Sequence, residues 1–319
     1  MDFKNPDVLL FSGTSHPTLA VELAKELKIE PGKIKIERFP DGEIDVEIKQ
    51  TVRGRDVVLM QTVALDPNEY LVELLIMIDA MRRSSAKSIM IVIPYYGYCR
   101  QDRKDRPRVP ITAKLVANML SAAGATRILT MDLHAGQLQG FFEIPVDNLY
   151  GRPRLVEAFR SLCPVENCVV VTPDIGSVKL ARSYAAQLGV PMAIVDKQRL
   201  SPTQIGSVTL IGDVKGKNVL LADDICSTGG TLLSAAKACQ EKGAKRIFAA
   251  VTHGMFARET LQRIEQSPIE ALLVSNTIPF TDRPEGSSKI HTVSVAPLLA
   301  EAIQRILSQE SISSLYEIV

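Results

Sequence analysis

Two adjacent carboxylates, followed by glycine and hydroxyl side chains, come directly after one apolar segment of the chain. Residues 218–239 read NVLLADDICSTGGTLLSAAKAC, which predicts a strand at 219–222 and a helix from 231 onward. Asp223 and Asp224 then project from the carboxyl end of the strand, where open α/β sheets bind ligands. Two neighbouring acceptors suit the vicinal hydroxyls of a ribose.

The turn after the two aspartates has the residues of an anion site. Gly229 and Gly230 let the backbone curl closely around an anion. Thr228 and Thr231 add hydroxyl donors, and the N-terminus of the next helix favours negative charge. The spacing G-x-x-x-x-G-K-[ST] does not occur here, which argues against a nucleoside triphosphate cradle of that type. The segment predicts a sugar-phosphate site; an ordinary strand-to-helix turn with two capping carboxylates is the alternative.

Two further segments place a polar residue near a predicted strand end. In MDLHAGQ at 131–137, the period of two puts Asp132 and His134 on the same side, with His134 just past the strand. His134 could ligate a metal or contact a phosphate, or be structural. In TPDIGS at 172–177, Asp174 is either a cation ligand or the N-cap of the following helix.

Cationic residues concentrate in two places. The segment YYGYCRQDRKDRPRVP at 95–110 is the most basic of the chain and could close over a polyphosphate, or be a solvated surface loop. DKQR at 196–199 follows a predicted strand, and its Lys197 and Arg199 could neutralise charge on a transferred phosphate. FPDGE at 39–43 is a tight turn that carries two acids.

Composition limits the partners. With 37 Lys and Arg against 36 Asp and Glu, the chain has no global field for nucleic acid or an anionic membrane, so a small partner is expected. The five cysteines show no C-x-x-C spacing, which favours reduced thiols and a cytoplasmic location. No apolar run approaches the length of a membrane span.

Apolar runs and amphipathic segments alternate along the chain, which predicts an α/β fold with mainly parallel sheets. The predicted strands are 8–11, 34–37, 57–60, 89–93, 128–131, 169–171, 193–195, 219–222, 247–251 and 272–274. The predicted helices are 18–27, 69–82, 113–122, 178–188, 231–242, 258–265 and 298–308.

The chain is long enough for two domains. The polar stretch at 150–153 is the predicted join between a domain at 1–150 and a domain at 151–319. The similar junctions GATRI at 124–128 and GAKRI at 243–247 favour two similar domains. The alternative is that helix–strand junctions of this kind look alike in all such folds.

Six short motifs occur in order: FPDGE at 39–43, RQDRKDR at 100–106, DLHAGQ at 132–137, TPDIGSVKLAR at 172–182, DKQR at 196–199 and ADDICSTGGT at 222–231. Together they resemble the ribose-phosphate pyrophosphokinase family, the phosphoribosyl pyrophosphate synthetases, from near Leu10 to the C-terminus. The resemblance implies two phosphoribosyltransferase-like domains, the first on the ATP side and the second on the ribose 5-phosphate side. It also implies transfer of the diphosphoryl group of Mg-ATP to the anomeric hydroxyl of ribose 5-phosphate, giving AMP.

The resemblance implies roles for individual residues. The implied ribose 5-phosphate ligands are Arg199, Asp223, Asp224, Ser227, Thr228, Gly229, Gly230 and Thr231. The implied ATP ligands are Phe39, Asp41, Glu43, Arg100, Gln101 and Asp105. The implied Mg²⁺ ligands are His134 and Asp174, and the implied catalytic residues are Lys197, Arg199 and His134. Asp41 and Glu43 reach ATP from a neighbouring subunit in this family, which implies a homo-oligomer, a hexamer.

The chain departs from the common family pattern at Ser227, where an acid usually stands, so one carboxylate expected near the ribose is missing. The C-terminal residues 311–316 resemble a segment that lines an allosteric phosphate site in phosphate-activated, ADP-inhibited members. Two other functions share parts of this pattern: a phosphoribosyltransferase of nucleotide salvage, and a non-catalytic regulatory relative. The basic segment at 100–108 and the extra half of the chain weigh against the first.

Overall fold

The computed structural model describes residues 8–199, 205–256, 258–280 and 287–316, and these form two compact units. The first unit contains residues 8–150 together with Thr277–Pro279 and Ala296–Tyr316. The second contains the described parts of Gly151–Asn276 and Phe280–Val295. Each has a mainly parallel sheet flanked by helices, which confirms the predicted α/β class.

The first unit is built on a five-stranded parallel sheet. The strands of this sheet are Val8–Ser12 (β1), Asp56–Met60 (β4), Ser88–Ile93 (β5), Arg127–Met131 (β6) and Val146–Leu149 (β7). Two further strands, Ile34–Arg38 (β2) and Ile44–Ile48 (β3), form a separate antiparallel pair. Its first three helices are Pro17–Leu27 (α1), Pro67–Arg83 (α2) and Thr112–Ala123 (α3). The sheet order is β1-β4-β5-β6-β7, and residues 89–93 of β5 are all buried, as expected for a central parallel strand.

A buried carboxylate fastens the turn between β1 and α1. Glu73 of α2 is 0% exposed, and its Oε1 accepts hydrogen bonds from the Thr14 amide at 2.7 Å and from Gln61 Nε2 at 2.8 Å. Its Oε2 accepts from the Thr14 hydroxyl at 2.7 Å. These hydrogen bonds offset the cost of burying the charge, because each partner stabilises the ionised form. Glu73 therefore ties the ends of β1 and β4 to one helix.

The second unit is built on a seven-stranded sheet of order β10-β9-β8-β11-β12-β13-β14, in which only the β9–β10 pair is antiparallel among the described pairings. The strands are Cys168–Thr172 (β8), Met192–Arg199 (β9), Ile205–Ile211 (β10), Asn218–Cys226 (β11), Arg246–Gly254 (β12), Ala271–Ser275 (β13) and Ile290–Val293 (β14). The helices are Arg152–Leu162 (α4), Val178–Leu188 (α5), Gly230–Glu241 (α6) and Arg258–Glu265 (α7). The last helix of the chain, Ala296–Leu307 (α8), packs against α1 in the first unit.

The second sheet buries apolar side chains on both faces. Along β11, Val219 and Leu221 join one buried cluster, whereas Leu220 and Ala222 join another. Successive side chains of a strand point to opposite faces, so a strand covered on both sides is apolar at every position. This explains why β11 is apolar at every position from Val219 to Ala222.

No helix in the described parts of the chain combines the length and the apolar character that crossing a bilayer requires.

Candidate functional site: the strand-to-helix turn of the second unit

Asp223 and Asp224 lie within β11, past the last residue of this strand that pairs with β8. β11 pairs with β12 as far as Cys226, opposite Gly254, but its described pairing with β8 ends at Leu221. The predicted strand at 219–222 was therefore too short, because β12 continues to hydrogen-bond beside it. Asp223 and Asp224 follow the last β8 partner, so they lie at the carboxyl edge of the sheet, as predicted.

Asp223 is the more buried of the two acids. It is 8% exposed, and its Oδ1 accepts hydrogen bonds from the Ser177 hydroxyl at 2.7 Å and from the Asp224 amide at 3.0 Å. Burial first, and then the charge of Asp224, raise the pKa of Asp223 to about 7 against the opposing effect of the Ser177 hydrogen bond. This carboxyl gains a proton easily when no ligand is bound, and a hydroxyl donor or a cation would favour its ionised form.

Asp174 both caps a helical turn and adds negative charge to this edge. It is the N-cap of the 3-10 turn Ile175–Ser177, and its Oδ1 accepts from the Ser177 amide at 3.1 Å. The Ser177 hydroxyl lies 3.3 Å from the same oxygen, and the charge of Asp174 contributes to the raised pKa of Asp223. Ser177 thus connects two of the predicted site residues, and the sequence carried no signal for it.

The turn after β11 adopts the geometry that an anion site requires. Gly229 has φ 70°, and a Cβ at this position would lie 2.9 Å from Thr260 Cγ2. Gly230 begins α6 with no side-chain cap hydrogen bond at Gly229 and no acidic residue in the first turn. The first N–H groups of a helix have no intrahelical acceptor, so they and the helix dipole favour an anion here.

Two side chains of α7 hydrogen-bond to the backbone of this turn. The Thr260 hydroxyl donates to the Ser227 carbonyl oxygen at 3.1 Å, and Arg263 Nη1 donates to the Thr228 carbonyl oxygen at 3.1 Å. Sequence analysis missed both residues, because they lie 33 and 35 positions away from their partners and belong to none of the recognised motifs.

The predicted ATP residues at 39–43 form the loop of the β2–β3 hairpin. The loop closes through hydrogen bonds from the Phe39 amide to the Glu43 carbonyl and from the Gly42 amide to the Phe39 carbonyl, both 2.9 Å. Asp41 Oδ1 accepts from the Glu43 amide at 3.2 Å, and Gly42 has φ 94°. Phe39 is 52% exposed, which is unusual for a large aromatic ring and leaves its face available for a ligand.

The basic segment lies between β5 and α3, and its charged side chains are exposed except for that of Asp102, which is half-buried. Arg100, Gln101 and Asp105 are all exposed, as an ATP-contacting loop requires. Gln101 also has a structural role, since its Oε1 accepts from the Thr112 hydroxyl at 2.5 Å at the start of α3. At the other end of the segment, the Tyr98 hydroxyl hydrogen-bonds to Asn68 of α2.

The predicted geometry around His134 was wrong in one respect. β6 ends at Met131, and Asp132 has φ 41°, so the alternation of a strand does not continue from Asp132 to His134. The Asn148 side chain accepts from the Leu133 amide at 3.0 Å and fixes this turn, a role that sequence analysis did not assign. His134 itself is exposed and therefore accessible to a ligand.

Lys197 and Arg199 lie within β9 and not beyond its end. The described pairing of β9 with β8 ends at Ile194, but pairing with β10 carries the strand to Arg199, opposite Ile205. The side chains of Lys197 and Arg199 lie outside the described residues, as do residues 200–204.

Within the described residues, no group of three or more His, Cys, Asp and Glu side chains is arranged to hold a metal ion. The second unit contains Asp174, Asp223, Asp224 and the turn at 227–231, and the structure brings Asp174 and Asp223 together through Ser177. His134 and the predicted ATP residues belong to the first unit.

Comparisons with known proteins identify the family. A family model described as the N-terminal domain of ribose phosphate pyrophosphokinase matches residues 8–124, and one described as a phosphoribosyl synthetase-associated domain matches residues 198–317. The chain is 49% identical over 319 residues to a ribose-phosphate pyrophosphokinase of Clostridium perfringens, covering 99% of this chain and 100% of the relative. It is 49% identical over 307 residues to that of Wolinella succinogenes, covering 96% and 98%.

A solved structure agrees with these relatives. The crystal structure of phosphoribosylpyrophosphate synthetase from Mycobacterium smegmatis superposes with a TM-score of 0.89 at 40% identity, covering 95% of this chain and 99% of that one. Sequence relatives over the full length and a matching fold confirm the resemblance seen in the motifs. The chain belongs to the ribose-phosphate pyrophosphokinase family.

Proposed function

We propose that the chain binds ribose 5-phosphate at the β11–α6 turn and transfers to it the diphosphoryl group of ATP. The full-length relationship to ribose-phosphate pyrophosphokinases supports this reaction. One observation carries the site assignment. The buried Asp223, the half-buried Asp224 and the start of α6, which has no side-chain cap, follow one another along the same turn. In this proposal the first unit is the ATP side and the second unit is the sugar-phosphate side.

The sugar phosphate is held by complementary groups. Its 5-phosphate accepts from the N–H groups at the start of α6 and from the hydroxyls of Ser227, Thr228 and Thr231, with Gly229 and Gly230 leaving room for the anion. The ribose hydroxyls donate to Asp223 and Asp224 on the acidic side of the turn, and Arg199 adds positive charge. Because Ser227 is neutral, the hydroxyls depend on two carboxylates where the common family pattern has three.

The chemical step needs placement and charge neutralisation. The anomeric oxygen attacks the β-phosphorus in line and forms a new oxygen–phosphorus bond. The bond between the β-phosphorus and the α,β-bridging oxygen breaks, AMP leaves with that oxygen, and the hydroxyl proton passes to solvent. Lys197 and Arg199 neutralise the charge that develops on the transferred group, in cooperation with His134. The proposed ATP ligands are Phe39, Asp41, Glu43, Arg100, Gln101 and Asp105, with the Phe39 ring stacking on the adenine.

An ATP-dependent transferase uses a divalent cation, and we assign Mg²⁺ to this role. Carboxylate oxygen is a donor that Mg²⁺ prefers, and Mg²⁺ usually binds through one or two carboxylates with phosphate oxygens and waters. Burial, together with the charges of Asp224 and Asp174, raises the pKa of Asp223, so this edge favours a cation. Asp174 and His134 are the proposed ligands, and the cation would neutralise polyphosphate charge.

Assembly and location follow the same proposal. The exposed Phe39 at a hairpin tip is consistent with ATP contacts made across a subunit boundary, so we assign a homo-oligomer, a hexamer, which light scattering can measure. The five cysteines are buried thiols, consistent with a cytoplasmic enzyme. The C-terminal segment contains a 3-10 turn, Ser313–Tyr316, and Arg305 Nη1 donates to Ser314 Oγ at 2.6 Å. Activation by phosphate and non-competitive inhibition by ADP would show that this segment is regulatory.

The decisive experiment measures AMP released from Mg-ATP in the presence of ribose 5-phosphate. We expect AMP only when the sugar phosphate is present, and free ribose at the same concentration should give none because the turn binds the phosphate. AMP formation that does not depend on the sugar would contradict the proposal. Nucleotide formation from phosphoribosyl pyrophosphate and a nucleobase would instead indicate a salvage transferase. A folded protein that is silent in both assays would be the regulatory relative.

A further inference from the structure

We propose that Thr260 and Arg263 of α7 are positioning residues that hold the β11–α6 turn in its anion-binding conformation. The inference rests on the proposed function, because it takes the 5-phosphate of ribose 5-phosphate as the anion. The two side chains reach consecutive carbonyl groups of the turn, those of Ser227 and Thr228, at 3.1 Å each. Neither residue belongs to the motifs that carry the family resemblance.

The carbonyl contacts determine where the amide groups point. In a planar trans peptide the C=O and the following N–H point in opposite directions. When Thr260 holds the Ser227 carbonyl, the N–H of Thr228 is directed away from α7. A turn without these contacts could rotate a peptide plane and present a carbonyl oxygen to the anion, which would repel it. α7 therefore selects the orientation in which the turn donates.

Thr260 also restricts the turn by packing. A Cβ on residue 229 would lie only 2.9 Å from Thr260 Cγ2, so the backbone passes close to α7 at Gly229. The Gly229 amide hydrogen-bonds to the buried Cys226 thiol, which fixes the next peptide plane. The Ser227 carbonyl, the Thr228 carbonyl and the Gly229 amide thus each have a defined partner, which restricts rotation of the two peptide planes.

α7 is a firm support because its own inner face is buried. Thr260 and Leu261 are each 2% exposed and Ile264 is 0% exposed. Lys289 Nζ donates to the carbonyl oxygens of Glu265 and Ser267 at 2.7 and 2.9 Å, which neutralises the C-terminal end of the helix. A buried, anchored helix transmits its position to the turn, whereas a mobile one would not.

Paired variants of the full-length protein test the proposal. Thr260→Val removes the hydroxyl and keeps the branched shape, whereas Thr260→Ser keeps the hydroxyl. We expect Thr260→Val and Arg263→Met each to raise the KM for ribose 5-phosphate about tenfold, equivalent to about 1.4 kcal/mol, with kcat and the KM for ATP within about twofold of wild type. Thr260→Ser keeps the hydroxyl but loses Cγ2, so its KM for ribose 5-phosphate should lie between those of wild type and Thr260→Val. Gln262→Met, an exposed α7 residue outside the site, is the control and should leave the kinetics unchanged.

Amide hydrogen exchange of residues 226–233 in the ligand-free protein gives a readout that does not depend on the reaction. Exchange should be faster in Thr260→Val and Arg263→Met than in wild type, Thr260→Ser and Gln262→Met. A wild-type protein that releases no AMP would overturn the proposed function, and the exchange rates would still test the support of the turn. Unchanged exchange, an unchanged KM for ribose 5-phosphate, or an equal rise in the KM for ATP would overturn the positioning role.

Discussion

Replacing Asp223 by asparagine is expected to stabilise the ligand-free protein at pH 8, although it removes a proposed ribose ligand. Asp223 is 8% exposed, and burial together with the charge of Asp224 raises its pKa from 3.8 to about 7. A carboxylate held in this environment opposes folding whenever it is ionised in the unfolded chain. Asparagine has nearly the same shape and can still accept a hydrogen bond from Ser177, but it carries no charge.

The sign and the pH window follow from the two pKa values. Below pH 3.8 the carboxyl is protonated in both states and its charge has no effect on stability. Between pH 3.8 and about 7 the unfolded chain loses the proton while the folded chain keeps it, so stability falls steadily as pH rises. Above about 7 the full cost is present. The shift of roughly 3 pKa units corresponds to about 4 kcal/mol at high pH and to about 2 kcal/mol at pH 5.

The assay is urea unfolding of metal-free wild-type and Asp223→Asn protein at pH 5 and pH 8. The stability gain of the variant should grow by about 2 to 3 kcal/mol between these pH values, because the other titrating groups cancel in the difference. Asp213→Asn is the control. The Asp213 pKa is lowered, chiefly by the Lys215 amide and by Lys217, so this acid is ionised in both states throughout the window and its effect should not change with pH.

A stability difference between wild type and Asp223→Asn that stays constant from pH 5 to pH 8 would refute the reasoning. It would mean that Asp223 titrates alike in the folded and unfolded chains, so that burial imposes no charge penalty at the proposed sugar site. A stability gain of Asp223→Asn that grows with pH would show that the charge of Asp223 destabilises the folded protein. This is expected where function requires a buried acid.

Three further predictions concern other parts of the molecule. Glu73→Ala should lower the free energy of unfolding by at least about 3 kcal/mol, because it leaves several buried donors without an acceptor, and Glu73→Gln should cost less; urea unfolding compares them. Gly229→Ala should destabilise the protein by about 1 to 2 kcal/mol and raise the KM for ribose 5-phosphate, since φ is 70° there, whereas Gly230→Ala, whose Cβ would lie 3.8 Å from its nearest neighbour, should fold as stably as wild type. Lys197→Ala should slow turnover by about 100-fold or more, and near-normal turnover would remove this residue from the mechanism.

The sequence was sufficient for features that depend on neighbouring residues. The acid pair and the glycine turn are contiguous, so their position at a strand end could be predicted from one apolar run and one helix start. The helices α5 and α7 were predicted with the bounds that the structure shows. In each, apolar residues recur at helical spacing, and residues that disfavour a helix lie on both sides. Two short, partly exposed strands were missed for different reasons: β7 has only two apolar residues, whereas β3 alternates apolar and acidic residues and its five-residue pattern was overlooked.

Features that depend on distant partners could not be predicted. β11 continues past Ala222 only because β12 pairs with it, and nothing within the acidic segment indicates this. The contacts of Ser177 with Asp223 and of Thr260 with Ser227 span 46 and 33 positions, and serine and threonine are too common to mark a site. At Asp132 the alternation ends because one residue adopts a left-handed conformation, which a two-residue period cannot anticipate.

The order of groups along the β11–α6 turn determines how a sugar phosphate can bind. Acceptors come first, at Asp223 and Asp224, and donors come last, at the start of α6. A ribose 5-phosphate carries neutral hydroxyl donors at one end and a dianion at the other, so only one orientation pairs each end with its complement. In the reverse orientation the phosphate would lie against carboxylates, and two like charges about 4 Å apart cost about 4 kcal/mol at an effective dielectric constant of about 20. At the proposed site, the turn would therefore select the orientation of the sugar by electrostatics, which is what an attack by one particular hydroxyl requires.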